Sequence, residues 1–555
     1  MRRGRINIIL FSWLILLAFS CKKNSSSPPP AKPVAAILVR IDNVAFTDNM
    51  YNVGVQPVIT VKFSEPLQTS SVASAVKFQD GSGSDIGFST SLQSKDSLLV
   101  IQPSSTLAYI AKYKFSINTT LKSASGGSFT TPVDNSFITK IDSTPKFPVI
   151  SDDSLLTLVQ KQTFKYFWDF GHPVSGLARE RNNGSNETVT SGGSGFGIMA
   201  IPVAVTKGFI TRAQALQRMQ TIVTFLKNTA PKFHGAFSHW MNGSTGAVIP
   251  FGVNDDGADI VETSYLIAGL LTARQFFDGA DVAETTLRSD INTLYNAVEW
   301  DWFRQNGKNV LYWNWSPNTG FAVNVPVQGW NETLITYVMA ASSPTHPIPK
   351  AVYDSGFARN GAMVNNNTYY GYSLPLGPAY GGPLFFSHYS FMGINPNGLK
   401  DVYADYQKQV TNHTKINYEY CKANPKTYFG YSSQCWGLTA SDIQGGYNAN
   451  EPNNDKGVIT PTAALSSFPY SPTESMNALK FFYYILGDKI WKDYGFVDAF
   501  ALKDQWYAGS FLAIDQGPII VMIENYRSGL VWNLFTSCPE IKAGMKSLGF
   551  TAPYL

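Results

Sequence analysis

Asp153-Ser-Leu-Leu-Thr-Leu-Val-Gln-Lys-Gln-Thr-Phe-Lys-Tyr-Phe-Trp168 decides the fold. Its apolar residues return every three or four positions, and its acidic start suits the positive end of a helix dipole, so the stretch predicts an amphipathic helix. Upstream the period is two. The runs Pro57-Val-Ile-Thr-Val-Lys-Phe63, Asp96-Ser-Leu-Leu-Val-Ile-Gln102 and Lys112-Tyr-Lys-Phe-Ser-Ile-Asn118 alternate apolar with polar residues between Gly/Ser turns. They predict a small all-β sandwich over 36–142. Residues 143–148 read as a linker. Downstream the helical period continues through 196–205, 211–228, 259–277, 282–303, 331–341, 401–422, 472–486 and 518–535. With shorter candidates between them this makes about ten to twelve helices, and a run of that length without a short exact repeat disfavours a solenoid. The expectation for 150–555 is a mainly α domain, an (α/α)6 toroid barrel with its site at one end of the inner ring.

At 555 residues the chain is too long for one ordinary core, which agrees with this division. A formal charge of +4 over that length, with no dense basic stripe, argues against nucleic acid as the partner and for a neutral one. Aromatic residues make up 14% and charged ones only 15%, so many rings are available to stack on a ligand, although most belong to the core. Arg2, Arg3 and Arg5 precede a short apolar run that ends in Leu17-Ala-Phe-Ser-Cys21. That pattern is a signal peptide over 1–20, too short for a permanent span. Its end resembles the lipobox of bacterial lipoproteins, which implies lipid attachment at Cys21. The Ser/Pro-rich stretch 21–35 would then be a flexible tether, and the protein a lipid-anchored monomer of the cell envelope, on the outer membrane facing the periplasm or the surface. Cys421, Cys435 and Cys538 show no paired spacing and read as buried thiols.

Several carboxylates stand among aromatic residues. Glu332 follows Trp330 at the opening of an apolar helix, and Asp259 and Glu262 lie one turn apart in Asn254-Asp-Asp-Gly-Ala-Asp-Ile-Val-Glu262, together with Asp255. Acids in a first helical turn are ordinary caps and dipole partners, so local sequence leaves both readings open. A helix N-terminus also lowers the pKa of Glu332, whereas burial against Trp330 would raise it toward what a proton donor needs. In Ala513-Ile-Asp-Gln-Gly-Pro518, the proline suits a first helical position, and Asp515 could cap that helix and stay charged, as a base must. Carboxylates among exposed rings are the equipment for cleaving a glycosidic bond: one acid protonates the leaving oxygen, another activates water, and aromatic faces hold sugar rings.

Other chemistries find less support. Gly192-Gly-Ser-Gly-Phe-Gly197 lacks the Lys-Ser/Thr ending of a phosphate loop and reads as a turn that lets helices approach closely. The six His residues show no metal-ligand spacing, and no Gly-x-Ser-x-Gly elbow follows a strand. Neither a metal nor a cofactor is expected.

Eleven motifs occur in one order: Ser175-Gly-Leu-Ala-Arg-Glu-Arg181, Gly195-Phe-Gly-Ile-Met-Ala-Ile-Pro202, Phe233-His-Gly-Ala-Phe-Ser-His-Trp240, Asp259-Ile-Val-Glu-Thr263, Trp330-Asn-Glu332, Ser343-Pro-Thr-His-Pro-Ile-Pro349, Gly382-Pro-Leu-Phe-Phe-Ser-His-Tyr-Ser390, Trp436-Gly-Leu-Thr-Ala-Ser-Asp442, Thr460-Pro-Thr-Ala-Ala464, Tyr494-Gly-Phe-Val-Asp-Ala-Phe500 and Ile514-Asp-Gln-Gly-Pro-Ile519. Together they resemble the glycoamylase-like domain of glycoside hydrolase family 144, and the first domain resembles bacterial Ig-like modules. The resemblance implies an (α/α)6 barrel that cleaves β-1,2-glucan with inversion and without a metal. It implies Glu332 as proton donor and Asp255, Asp259 and Glu262 as pocket acids, with Asp515 placed as base. Trp240, Trp313, Trp330, Tyr380, Phe386, His388 and Trp436 are the expected sugar contacts. Glu180 departs from the family, where an Asp is common. The main expectation is endo action giving short oligosaccharides. The alternatives are exo release of the disaccharide sophorose, and a non-catalytic glycan-binding lipoprotein.

Overall fold

The computed structural model describes residues 30–555, so the expected leader, Cys21 and most of the tether lie outside the described residues. The chain divides into two compact units between Thr139 and Lys140.

Among its described residues the first unit has nine strands: β1 (Ala36–Ile41), β2 (Val44–Ala45), β3 (Met50–Val53), β4 (Ile59–Phe63), β5 (Val76–Asp80), β6 (Phe88–Gln93), β7 (Leu98–Pro103), β8 (Lys112–Ile117) and β9 (Val133–Thr139). They form two sheets, ordered β2-β1-β4-β7-β6 and β3-β9-β8-β5. Alternation does the folding: in β8, Tyr113, Phe115 and Ile117 are buried while Lys112 and Lys114 face water. Those rings join Phe46, Phe78 and Phe137 in the core between the sheets. One short helix, α1 (Thr69–Ala75), leads into β5.

Helices dominate the second unit: α2 (Asp152–Trp168), α3 (Ser191–Thr206), α4 (Arg212–Asn228), α5 (Ile260–Phe276), α6 (Val282–Asn296), α7 (Leu334–Ala341), α8 (Lys350–Val352), α9 (Tyr406–Ala423), α10 (Pro461–Leu465), α11 (Pro472–Lys480), α12 (Gly487–Ile490), α13 (Ala513–Arg527), α14 (Leu530–Thr536) and α15 (Pro539–Ser547). They are of two kinds. In α2, α4, α6 and α9 one stripe is buried, as amphipathic spacing requires, and polar caps fix the starts: Ser151 accepts from the Ser154 amide, and Thr211 and Gln214 form a capping box. In contrast α3, α5, α7, α10 and α13 are buried on nearly every side. A helix apolar all round belongs inside, and α3 packs on α5 and α13, α5 on α7, and α13 on α10.

Glycine sets the closest of these contacts. A Cβ on Gly195 would lie 2.2 Å from the Tyr265 carbonyl oxygen, and one on Gly269 would lie 2.3 Å from that of Gly195. Only hydrogen lets α3 and α5 cross so tightly. The Gly192–Gly195 stretch is therefore the first turn of α3, not a loop before it. Other bounds shift for physical reasons. The expected helix over 331–341 begins only at Leu334, because Asn331 turns its side chain onto the Thr333 amide. Pro518 lies inside α13 rather than at its first position, so the helix starts at Ala513 and Leu512 is its cap. Among the described residues no helix is long and apolar enough to cross a membrane.

Candidate active site

The start of α5 organises the site. A two-residue ladder, Ala258–Asp259 against Asn314–Trp315, pairs Asp259 with Asn314 and brings the neighbouring Trp313 alongside. Asp259 caps the helix with one carboxylate oxygen, which accepts from the amides of Val261 and Glu262 at 3.0 Å each. Its other oxygen faces the Nδ1 of His239 at 2.9 Å and accepts from the Trp313 indole at 3.3 Å. Capping and pocket chemistry are thus divided between the two oxygens of one side chain, which reconciles the two readings of this acid.

Glu262, one turn on, is buried and accepts from the Gly192 amide at 2.8 Å. A Cβ on Gly192 would sit 2.2 Å from that carboxylate oxygen, so the glycine start of α3 exists to bring a backbone donor to Glu262. Burial raises the Glu262 carboxyl, His239 opposes that, and Asp259 adds to it. His239 is the cationic centre of the group. Burial works against its charge, but Glu262, Asp259 and Asp255 together raise it to about 9, so it is an imidazolium at neutral pH. Asp255, on the loop before α5, accepts from Asn314 at 2.9 Å, and burial followed by Asp259 raises it to about 6.

Glu332 sits in the turn that precedes α7. Its carbonyl oxygen accepts from the Ser390 hydroxyl and from the Tyr265 phenol, so two neighbours pin its backbone. Burial pushes its carboxyl up to about 7; its own backbone amide pulls the other way, and Glu262 and Asp259 push it up further. The helix-start effect that would keep it charged loses to desolvation. The buried Tyr265 phenol feels Glu332, Glu262 and Asp259 together, which places these three acids around one ring.

A second acidic group lies beyond Tyr389. That phenol feels Asp515 and Tyr447 as well as Tyr265 and Glu332, and so stands between the two groups. Asp515 is 2% exposed in the first turn of α13. It does not cap the helix through its side chain, and it is not the freely ionised carboxylate that a capping position would give. Burial, then Asp498, holds it well above the usual carboxylate range. Near it Asp442 receives Arg181 at 3.2 Å on each oxygen, and Arg181 also binds Glu180 at 2.9 Å. An open cavity of about 470 Å³ is lined by Glu180, Arg181, His239, Trp240, Phe251, Glu262, Tyr389 and Tyr447 among others; of the candidate acids Glu262 is in that lining, and Glu332, Asp259, Asp255 and Asp515 are not. Phe251 stacks on the His239 ring with centroids 4.1 Å apart.

The expected sugar contacts divide. Trp240 lines the cavity and Trp313 touches Asp259. Trp330 does not reach the cavity: it is 4% exposed and packs against Phe391 and Tyr406. His388 and Trp436 are also core residues. His388 bonds Ser467 at 3.0 Å, and burial, then His413, lowers it to about 3, so it is neutral; Trp436 donates to the Glu474 carbonyl. Phe385 lines the cavity in place of its neighbour Phe386, and Tyr380, which is not in the lining, packs at a tilt against Tyr369. Sequence reasoning missed His239, Phe251, Tyr389 and Tyr447. His239 and Tyr389 lay within quoted motifs, but nothing local marked them. Among the described residues no group of three or more His, Cys, Asp and Glu is arranged to hold a metal ion. The arrangement can protonate a leaving group from a carboxyl poised near neutrality while a fixed imidazolium and further carboxylates set the field.

Comparison with known proteins is consistent with that chemistry. The Glycoamylase family model, described as "Putative glucoamylase", matches residues 324–539, and the bacterial Ig-like domain model matches residues 38–139. A crystal structure of an endo-β-1,2-glucanase from Chitinophaga pinensis, in complex with sophorotriose and glucose, is 52% identical, with a TM-score of 0.72 over 73% of this chain and 100% of that one. A β-1,2-glucanase structure from Parabacteroides distasonis is 35% identical, with a TM-score of 0.70 over 94% of this chain and 74% of that one. A curated relative from Parabacteroides distasonis, an exo β-1,2-glucooligosaccharide sophorohydrolase acting at the non-reducing end, is 44% identical over 420 residues. The match takes in 72% of this chain and spans only 58% of the length of that relative.

Proposed function

The chain belongs to glycoside hydrolase family 144, and from that premise we propose that it hydrolyses β-1,2-glucan internally, with inversion, to short oligosaccharides. The supporting observation is the Glu332 carboxyl, raised to about 7 by burial and held around the Tyr265 ring with Glu262 and Asp259. In this reading Glu332 gives its proton to the glycosidic oxygen as the C1–O bond breaks. Water adds to C1 from the other face, and its proton passes to the acids beyond Tyr389, with Asp515 as base, directly or through a substrate hydroxyl. An inverting pair ordinarily stands about 6.5 to 9.5 Å apart, or farther where such a relay intervenes. Asp259, Glu262, Asp255 and His239 set the field, and Trp240 and Trp313 hold sugar. The buried helices pack in the order α7, α5, α3, α13 and α10 inside amphipathic partners, which supports an (α/α)6 toroid, and we assign that architecture. A lipid anchor at Cys21 would hold the enzyme at the outer membrane.

A second reading, exo release of sophorose, is favoured by the curated relative named above. Incubation with linear β-1,2-, β-1,3-, β-1,4- and α-1,4-glucans, with product sizes followed in time, separates them. The expected result is cleavage of the β-1,2 polymer alone, with a spread of oligosaccharides in the first minutes. Sophorose as sole product from the outset would replace endo with exo action, and no new reducing ends from any of the four would overturn hydrolysis.

A further inference from the structure

Asp498, in Tyr494-Gly-Phe-Val-Asp-Ala-Phe500, has no part in the chemistry above, yet it is a carboxyl buried to 2% beside another buried carboxyl. One oxygen, Oδ2, accepts from the Asp442 amide at 2.7 Å. The other, Oδ1, has no donor from any amide, amine or hydroxyl among the described residues, and the same holds for both oxygens of Asp515. The two segments meet, since the Gln516 side chain donates to the Phe496 carbonyl at 3.1 Å, and the two carboxyls act on each other as hydrogen-bonding neighbours. Two ionised carboxylates present only acceptors and repel; three buried oxygens without a donor would each carry a desolvation penalty. A proton between them removes the repulsion and serves two of the three oxygens, as in acid pairs elsewhere.

We propose that Asp498 and Asp515 share a single proton, and that Asp498 is a positioning residue that sets when Asp515 is free to take a proton from water. The role of Asp515 in that statement rests on the mechanism proposed above; the shared proton does not. The groups around the pair fit. Asp442 and Arg181 both act on it, and Arg181 is itself shared with Glu180. The Ser510 hydroxyl donates to Asp442, leaving the Asp442 amide aimed at Asp498. Tyr447 and Tyr389, both lining the cavity, feel Asp515 and carry no charge that would separate the pair. Among the described residues Arg181 is the cation that acts on this group, and it is hydrogen-bonded to Glu180 and Asp442. Burial raises both members; Asp498 raises Asp515 further, whereas the bond with Asp515 lowers Asp498, and the pair holds one proton and one negative charge in the working state.

Asp498→Asn makes the test. Its amide oxygen can keep the bond from the Asp442 N–H, which turns the NH2 toward Asp515 and supplies the donor that the proton supplied before. Asp515 then ionises as it does beside a protonated Asp498. On β-1,2-glucan the acidic limb of kcat/KM should stay within a few tenths of a pH unit or so of the parent in Asp498→Asn. Asp498→Ala, which offers no donor to the charged form, should move the limb up by about one unit. An unmoved limb in active Asp498→Ala would overturn the positioning role. Infrared difference spectra of the full chain without substrate read the proton itself. One protonated-carboxyl band, present in the parent at neutral pH, should vanish in Asp498→Asn, in Asp515→Asn and in the double variant alike. Separate bands lost additively would overturn the shared proton even if the glucan is cleaved. A shared band in a protein that leaves the glucan intact would instead condemn the proposed function alone. Thermal melting of each variant identifies any that has lost the fold.

Discussion

Glu332→Gln should lower kcat on β-1,2-glucan by about a thousandfold while leaving glucan binding within a few-fold, since general acid catalysis ordinarily supplies 10² to 10⁴ and the sugar leaving group is a poor one. The change keeps the shape and the backbone contacts of Glu332 to Ser390 and Tyr265. It removes only the transferable proton. It should also leave the fold intact or more stable at high pH, and the sign follows from linkage. The folded carboxyl titrates near 7 against 4.5 for the free side chain, so between those values the native state binds more protons than the unfolded one. Stability from this group therefore falls as pH rises from about 4.5 to about 7, and Gln has no such slope. Kinetics, binding and urea midpoints at pH 5 and pH 8 together check this. Near-normal turnover would remove Glu332 from the acid role, and a collapsed midpoint would make its loss of activity uninformative.

Asp259→Asn should cost about a hundredfold in kcat/KM with little loss of stability, because Asn caps a helix nearly as well as Asp but carries no charge. The bonds from the Val261 and Glu262 amides survive. The charged partner of His239 does not: Glu262 and Asp255 still raise the imidazole, but without Asp259 it moves down from about 9 toward its ordinary value. The cation that restrains the upward shift of Glu262 is weakened, and the field at Glu332 changes with the lost charge. Asp259→Ala should lose activity similarly and, in addition, about 1–2 kcal/mol of stability from the empty cap. NMR titration of His239 beside urea denaturation of both variants tests the division. Full activity in Asp259→Asn with a neutral His239 would show that the charge pair is dispensable.

Much of the fold was legible because periodicity reports which face is buried. The switch from period two to period 3.6 near 150 marks two compact units, and the capped amphipathic helices α2 and α4 begin within a residue or so of their expected starts. The inner helices were harder. They are apolar all round, so periodicity gives them no edges, and α3 hid four residues of its first turn in a glycine run whose purpose is a backbone donor for Glu262. Acids could be singled out because they are rare in apolar stretches: Glu332, Glu262 and Asp259 all act on the Tyr265 phenol, and Asp255 reaches Asn314, the ladder partner of Asp259. Rings were not sorted so well. Trp330, Trp436 and His388 resemble Trp240 and Trp313 in local sequence, and only three-dimensional packing sends the first three to the core. Asp498 was invisible as chemistry, because its partner Asp515 is 17 residues away and only the fold shows that their carboxyls meet.

The central claim is that a protonated Glu332 cleaves a β-1,2 linkage while water arrives from the opposite face. Proton NMR of the parent enzyme on β-1,2-glucan, recorded before mutarotation, reads the configuration of each newly formed reducing end. The account predicts the α anomer first, with the β anomer growing in later and no signal from Glu332→Gln over the same interval. The β anomer first would contradict inversion and the division of labour between the two acidic groups.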